Sequence, residues 1–298
     1  MKINPRWIDF FYLSTAIYKQ LFSLQKITVL LVFLFFSLSA AGTRVVRPAA
    51  GAGEAGMAYA CIMKPGVWPA FHNQAALPLL QGSAFSFSYE NRFGLKELAA
   101  RSVCLAIPSG SSGVGAVYSY SGYSGFSRET IGLAGGIMLS PGFSAGVQTN
   151  LHIENQAGDY KDYVILTCEG GFLIDLSDNV RAGIHVFNPV PNSLRKVPVQ
   201  SAIRAGAGIE LPGNLFAAME AEMRSGRRIN LRTGFEYTPG ARIRLRGGYS
   251  TETPSFSFGI GYALKPALVD IAFSTHPALG VTSTFSVSFI LWESDNKR

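Results

Sequence analysis

From about Ala84 to Trp292 apolar residues alternate with polar residues or glycine. The segments run roughly nine to eleven residues, the period-two pattern of strands that cross a membrane as a β-barrel. In Ile229–Tyr237 one face carries Ile229, Leu231, Thr233, Phe235 and Tyr237, and the other Asn230, Arg232, Gly234 and Glu236. In Ala241–Tyr249 the apolar face is Ala241, Ile243, Leu245, Gly247 and Tyr249, and the opposite face presents Arg242, Arg244 and Arg246. The same reading predicts fourteen strands, near 84–90, 99–107, 113–121, 129–139, 143–154, 163–176, 180–188, 202–211, 215–223, 229–237, 241–250, 255–264, 267–275 and 282–292. An even number is what a bacterial single-chain barrel requires.

The connections give an independent test. Turns after even-numbered segments are short and built on Pro, Gly or Asn, as in Ser140-Pro-Gly142, Leu211-Pro-Gly-Asn214 and Thr238-Pro-Gly240. Proline presets one turn angle, and Gly or Asn accepts the left-handed one. Those after odd-numbered segments are expected to be longer and more polar: Asn91–Leu98, Ser121–Arg128, Asn155–Asp162 and Asn188–Gln200. Short turns alternating with longer outer loops suit a transmembrane barrel with both termini in the periplasm. A secreted all-β sandwich or propeller competes, but in water its aromatic face would need a second sheet. Here that face carries Phe85, Phe87, Phe256, Phe258, Phe273, Phe285 and Phe289, for which lipid suffices.

Composition narrows the class. Apolar residues make up 48% and charged residues only 15%, against about a quarter charged in soluble proteins. Only one long apolar run exists, Ile27–Leu38, which excludes a polytopic helical membrane protein. Lys19 and Lys26 precede that run, and Ser39-Ala40-Ala41-Gly42 follows it. The order of charge, apolar core and small residues predicts an export signal over 1–41, extended upstream. A retained membrane anchor is the alternative. Cleavage would remove four cations and one anion, lowering the net charge from +7 to +4. No dense basic run survives to bind nucleic acid. Cys61, Cys104 and Cys168 are odd in number and widely spaced, giving neither a disulfide framework nor a zinc site.

Residues 42–83 lack the alternation and are rich in Ala, Gly and Pro. They are expected to form short helices that plug the lumen, ahead of a barrel over 84–292 and a tail over 293–298. Two pieces stand out: Gly51, Ala55, Gly56, Met57 and Ala60, then Phe71, Asn73, Ala75 and Leu77. Together they resemble the N-terminal motif of the PorV/PorQ-like outer-membrane proteins of Bacteroidetes, relatives of the FadL transporters. Gln74 and Ala76 stand where that motif has Pro and Gly, and Lys64-Pro65-Gly66 replaces its acidic pair. The resemblance implies a fourteen-stranded barrel with an N-terminal plug in a Gram-negative outer membrane. It also implies one of two roles. The first is an accessory of type IX secretion or surface attachment, with secretion-system or cargo proteins as partners. The second is FadL-like transport of a hydrophobic small molecule. The degenerate motif and short outer loops favour the accessory role.

Candidate chemistry is sparse. Met57, Trp68 and Phe71 could line an apolar pocket or simply pack the plug. Arg232, Arg242, Arg244 and Arg246 could attract anions. The favoured reading is a structural charge network of these with Arg204, Glu210, Glu220, Glu222 and Glu236, since buried charges must be paired. His152 and Asn150 share a face and His185 follows, but no nucleophile signature accompanies them. His72 beside Asn73 reads as plug packing. Neither an enzyme nor a cofactor is expected.

Overall fold

The computed structural model describes residues 48–158, 162–190 and 199–293. The expected signal over 1–41 and the tail beyond Glu293 lie outside the described residues. Two short helices come first, α1 (Ala52–Gly56) and α2 (Pro69–His72), then a 3-10 segment, Gln74–Leu79. Fourteen strands follow among the described residues: β1 (Gly82–Asn91), β2 (Ala100–Ser109), β3 (Ser112–Tyr123), β4 (Phe126–Ser140), β5 (Phe143–Gln156), β6 (Tyr163–Ser177), β7 (Val180–Phe187), β8 (Ala202–Leu211), β9 (Leu215–Arg224), β10 (Asn230–Tyr237), β11 (Ile243–Ser250), β12 (Ser255–Leu264), β13 (Ala267–His276) and β14 (Gly280–Glu293). Each pairs antiparallel with its sequence neighbours, and β1 pairs with β14 to close the barrel. Closure leaves no strand edge unpaired.

Alternation sorts the side chains as expected. The seven phenylalanines named above are exposed on the outer wall, as are Leu133, Val147 and Leu245. The opposite face is buried and polar, including Ser86, Gln148, His152, Arg204 and Glu220. Such a wall is stable where hydrocarbon replaces water on the outside and polar groups pair within.

One expected outer loop is not a loop. Ser121–Arg128 continues the β3–β4 ribbon, with Tyr123 paired to Phe126 across Ser124-Gly125. Tyrosines on β3 and Ser-Arg-Glu-Thr on β4 extend the ladder past the wall's apolar band. The Asn91–Leu98 loop is present and carries a 3-10 turn at Lys96–Leu98. The middles of the other two long loops lie outside the described residues.

The N-terminal segment occupies the lumen at the end where the connecting turns are short. Glycines on the lumen face let its backbone touch the wall. A Cβ at Gly146 would lie 2.3 Å from the Gln74 carbonyl carbon, and one at Gly248 only 2.4 Å from that of Met57. Gly113 meets Leu77, Gly183 meets the Ile62 carbonyl, and Gly259 meets Gly56. Contact this close gives the plug strong dispersion attraction to the wall at these points.

Candidate functional site

The plug residues singled out by sequence occupy two apolar clusters. Trp68, Phe71 and Leu77 pack with Cys104, Ala106 and Val117 of the wall. The Trp68 and Phe71 rings meet edge-on, 5.7 Å between centroids, a favourable aromatic geometry. Met57 packs with Ala60, Ile62, Met63, Leu173 and Phe216, and Gly56 lies flat on β12. Asn73 is a cross-link. Its Oδ1 accepts from the Ala75 amide at 3.1 Å, capping the 3-10 segment, and its Nδ2 donates to the Ile62 carbonyl at 3.0 Å and the Phe172 carbonyl at 3.2 Å. His72 Nε2 lies 2.8 Å from the Ala50 carbonyl oxygen, within the plug.

A cavity of about 840 Å³ opens between the plug and the β10–β14 and β1 wall, at the short-turn end. Its apolar lining includes Met57, Val67, Trp68, Leu80, Leu268 and Ile290, and its charged lining Glu54, Lys64, Glu236, Arg244, Arg246, Lys265 and Asp270. That volume suits a small organic molecule. Arg246 bridges Glu236 and Asp270, each at 2.5 Å, and Lys64 of the plug lies 2.6 Å from Glu236. These pairs fix one side of the cavity and tie the plug to the wall.

Deeper in the lumen, Arg204 Nε lies 2.6 Å from Glu220 Oε1, while Arg232 reaches Glu220 at 3.3 Å and Glu222 at 2.5 Å. Desolvating such charges is costly, and the geometry offsets it only because each is paired and hydrogen-bonded. Three residues expected in the network stand apart from it. Glu210 and Arg242 are exposed beside the short turns at the ends of β8 and β11, and Arg244 lines the cavity. None of the three makes an ion pair among the described residues. They lie on the correct face but too near the rim to meet a partner. Two members escaped the sequence reading. Asp270 is a lone acid in an apolar strand, a pattern that signals a lumen-facing charge. In the sequence Lys64 stands out only as a departure from the motif.

His152 sits between two hydroxyls, with Thr130 Oγ1 and Thr167 Oγ1 each 2.9 Å from a ring nitrogen. Asn150 donates to Glu169 at 2.8 Å, and His185 Nε2 is 3.2 Å from Glu169. These contacts knit β4–β7.

Burial pushes the Glu54 carboxyl up to about 7; Arg246 and Lys64 lower it and Asp270 raises it. The ordinary value is about 4.3. The plugged state therefore binds this proton more tightly than the unfolded chain does. Stability from this group is complete below the ordinary value and falls as pH rises through about 7. Thermal unfolding in detergent across this range should show a midpoint that declines with pH, and Glu54→Gln should flatten the decline. An unchanged slope in Glu54→Gln would place the titration elsewhere.

No protein-family model matches the chain, and comparison with curated protein sequences finds no relative. Solved structures do match. The toluene transporter TodX of P. putida is 10% identical with a TM-score of 0.63, over 84% of this chain and 100% of that one. The CymD monoaromatic hydrocarbon channel is 13% identical with a TM-score of 0.61, over 83% and 99%. A Pseudomonas aeruginosa FadL homologue is 12% identical with a TM-score of 0.58, over 85% and 100%. At such identities the likeness is one of fold alone: the chain is a closed fourteen-stranded antiparallel barrel whose fold is similar to that of these proteins.

Proposed function

We propose that this protein resides in the outer membrane of a Gram-negative bacterium and carries a hydrophobic small molecule across it. The observation that carries this reading is the plugged lumen with its cavity. An N-terminal segment fills the barrel and leaves, against one side of the wall, a chamber lined by Met57, Trp68, Leu80, Leu268 and Ile290. The structural neighbours named as hydrocarbon channels and toluene transporters support the same class. Partners on this reading are membrane lipid and the transported molecule.

A detergent-solubilised preparation should bind a monoaromatic or aliphatic hydrocarbon, quenching or shifting tryptophan fluorescence. Met57→Ala should weaken that binding about tenfold or more, as removing buried apolar contact from a ligand pocket costs about 1–3 kcal/mol. Trp68→Ala should weaken uptake into cells to a similar degree. Unchanged binding and uptake in both variants would overturn the carrier reading.

The accessory role retains one argument. Among the described residues paired charges surround the fully buried Arg204 and Glu220 inside the lumen, which argues against an open diffusion path. Recovery of secretion-system proteins with this chain in a mild-detergent pull-down, with no hydrocarbon bound, would favour it. A type IX assignment and an origin in Bacteroidetes rest on the sequence resemblance alone.

A further inference from the structure

The turn that follows α1, Met57–Lys64, is the strained part of the plug. Ala58 and Tyr59 both take left-handed backbone angles, with φ of 52° and 60°. Side-chain-bearing residues hold that conformation only where their surroundings enforce it. Here two wall residues do so. Glu220 of β9 accepts the Cys61 amide at 3.2 Å and the Ile62 amide at 3.3 Å through one carboxylate oxygen. Its other oxygen accepts from Arg204 Nε at 2.6 Å and from Arg232 Nη1 at 3.3 Å. Arg204 also donates to the Tyr59 carbonyl at 3.0 Å. The wall thus holds the backbone at the C-terminal end of the strained pair and just beyond it, so the hold does not depend on what side chains the turn carries.

The same turn faces the cavity. Met57, Cys61 and Lys64 line it, and the Lys64 amide donates back to the Cys61 carbonyl at 2.9 Å. A molecule filling the cavity and the carboxylate of Glu220 therefore bear on the same short segment. We propose that the Met57–Lys64 turn is the movable gate of the lumen and that Glu220 is the positioning residue that latches it shut. What the gate passes rests on the carrier reading; the latch itself does not. A cavity occupant opens the gate only to the extent that it binds the unlatched turn better than the latched one.

Cys61 reports the latch directly. Its side chain is 4% exposed with the turn in place. Replacing Cys104 and Cys168 by serine leaves Cys61 as the single thiol of the three in the chain. In detergent micelles a polyethylene-glycol maleimide should label this background slowly. Glu220→Gln, which has no charge to hold Arg204 and a weaker acceptor for the two amides, should raise the labelling rate at least tenfold. Heat-modifiable gel mobility, measured on the same samples, shows whether the barrel is intact. Protection of Cys61 in a heat-modifiable Glu220→Gln barrel would overturn the latch. Should that variant lose its mobility shift, Glu220→Asp takes its place. It retains the charge for Arg204 and Arg232 but withdraws the carboxylate from the amides by one methylene, and the same labelling is expected of it. No transported molecule enters this assay. Fast labelling together with absent hydrocarbon binding would leave the latch standing and remove the carrier reading.

Discussion

Gly146→Leu is expected to be among the most damaging single substitutions in the barrel. A Cβ at this position falls 2.3 Å from the Gln74 carbonyl carbon and 2.5 Å from the Ala75 nitrogen. Those are backbone atoms of the 3-10 segment, which Ser144 of the same strand also holds by donating to the Ala75 carbonyl at 2.7 Å. No rotamer change relieves the overlap, so the plug must back away. Overpacking of this kind costs roughly 3 kcal/mol. Gly135→Leu is the matched control: a Cβ there meets nothing within 4 Å. Thermal unfolding and trypsin cleavage of the plug should both separate the two variants. Equal stability would mean that the plug does not rest on the wall at β5.

Leu245→Arg should also destabilise the barrel. Leu245 is exposed on the outer wall of β11, paired with Ile260 of β12 on the same face. An arginine on the lipid side costs about 2–4 kcal/mol at the bilayer midplane and less toward either interface; Leu245 is the third residue of β11 and pairs with Tyr237 at the end of β10, so about 1–2 kcal/mol is expected. Its neighbour Arg244 points the other way, into the cavity, so Arg244→Gln should cost much less. Unfolding in urea from liposomes gives both values. Similar losses for the two would mean that the outer wall does not face hydrocarbon.

The contrast between Arg244 and Arg246 shows what the sequence could reveal. Period-two alternation assigns both to the lumen face, and both are there. It says nothing about depth along the barrel axis. Arg246 is paired in register with Glu236, also reaches Asp270, and is buried between them, whereas Arg244, one pleat nearer the rim, makes no ion pair among the described residues. Depth depends on where the plug stops, and that is set by contacts between segments far apart in the chain. The glycines show the same limit. Their abundance is plain in the composition, but their service as the plug's resting surface requires knowing which residue of 42–83 meets which strand. Strand boundaries were legible because turns carry local chemistry, with Pro, Gly and Asn at fixed offsets. The Ser121–Arg128 ribbon was misread because its polar residues resemble a loop when the partner strand is not in view. Lys64 looked like a lost motif residue, yet it supplies the plug's ion pair to Glu236.

The pairing of β1 with β14 also governs how the molecule must assemble. The Ala52 amide donates to Ser286 Oγ across 234 residues of chain, and the strand that follows the plug is zipped to the last strand along its whole length. Neither contact can form until the whole barrel sequence is present. Closure of so long a loop is entropically costly and slow. The barrel seam and the plug's footing on β14 therefore arise together, late, in one cooperative step, and a chain that lacks β14 loses both at once.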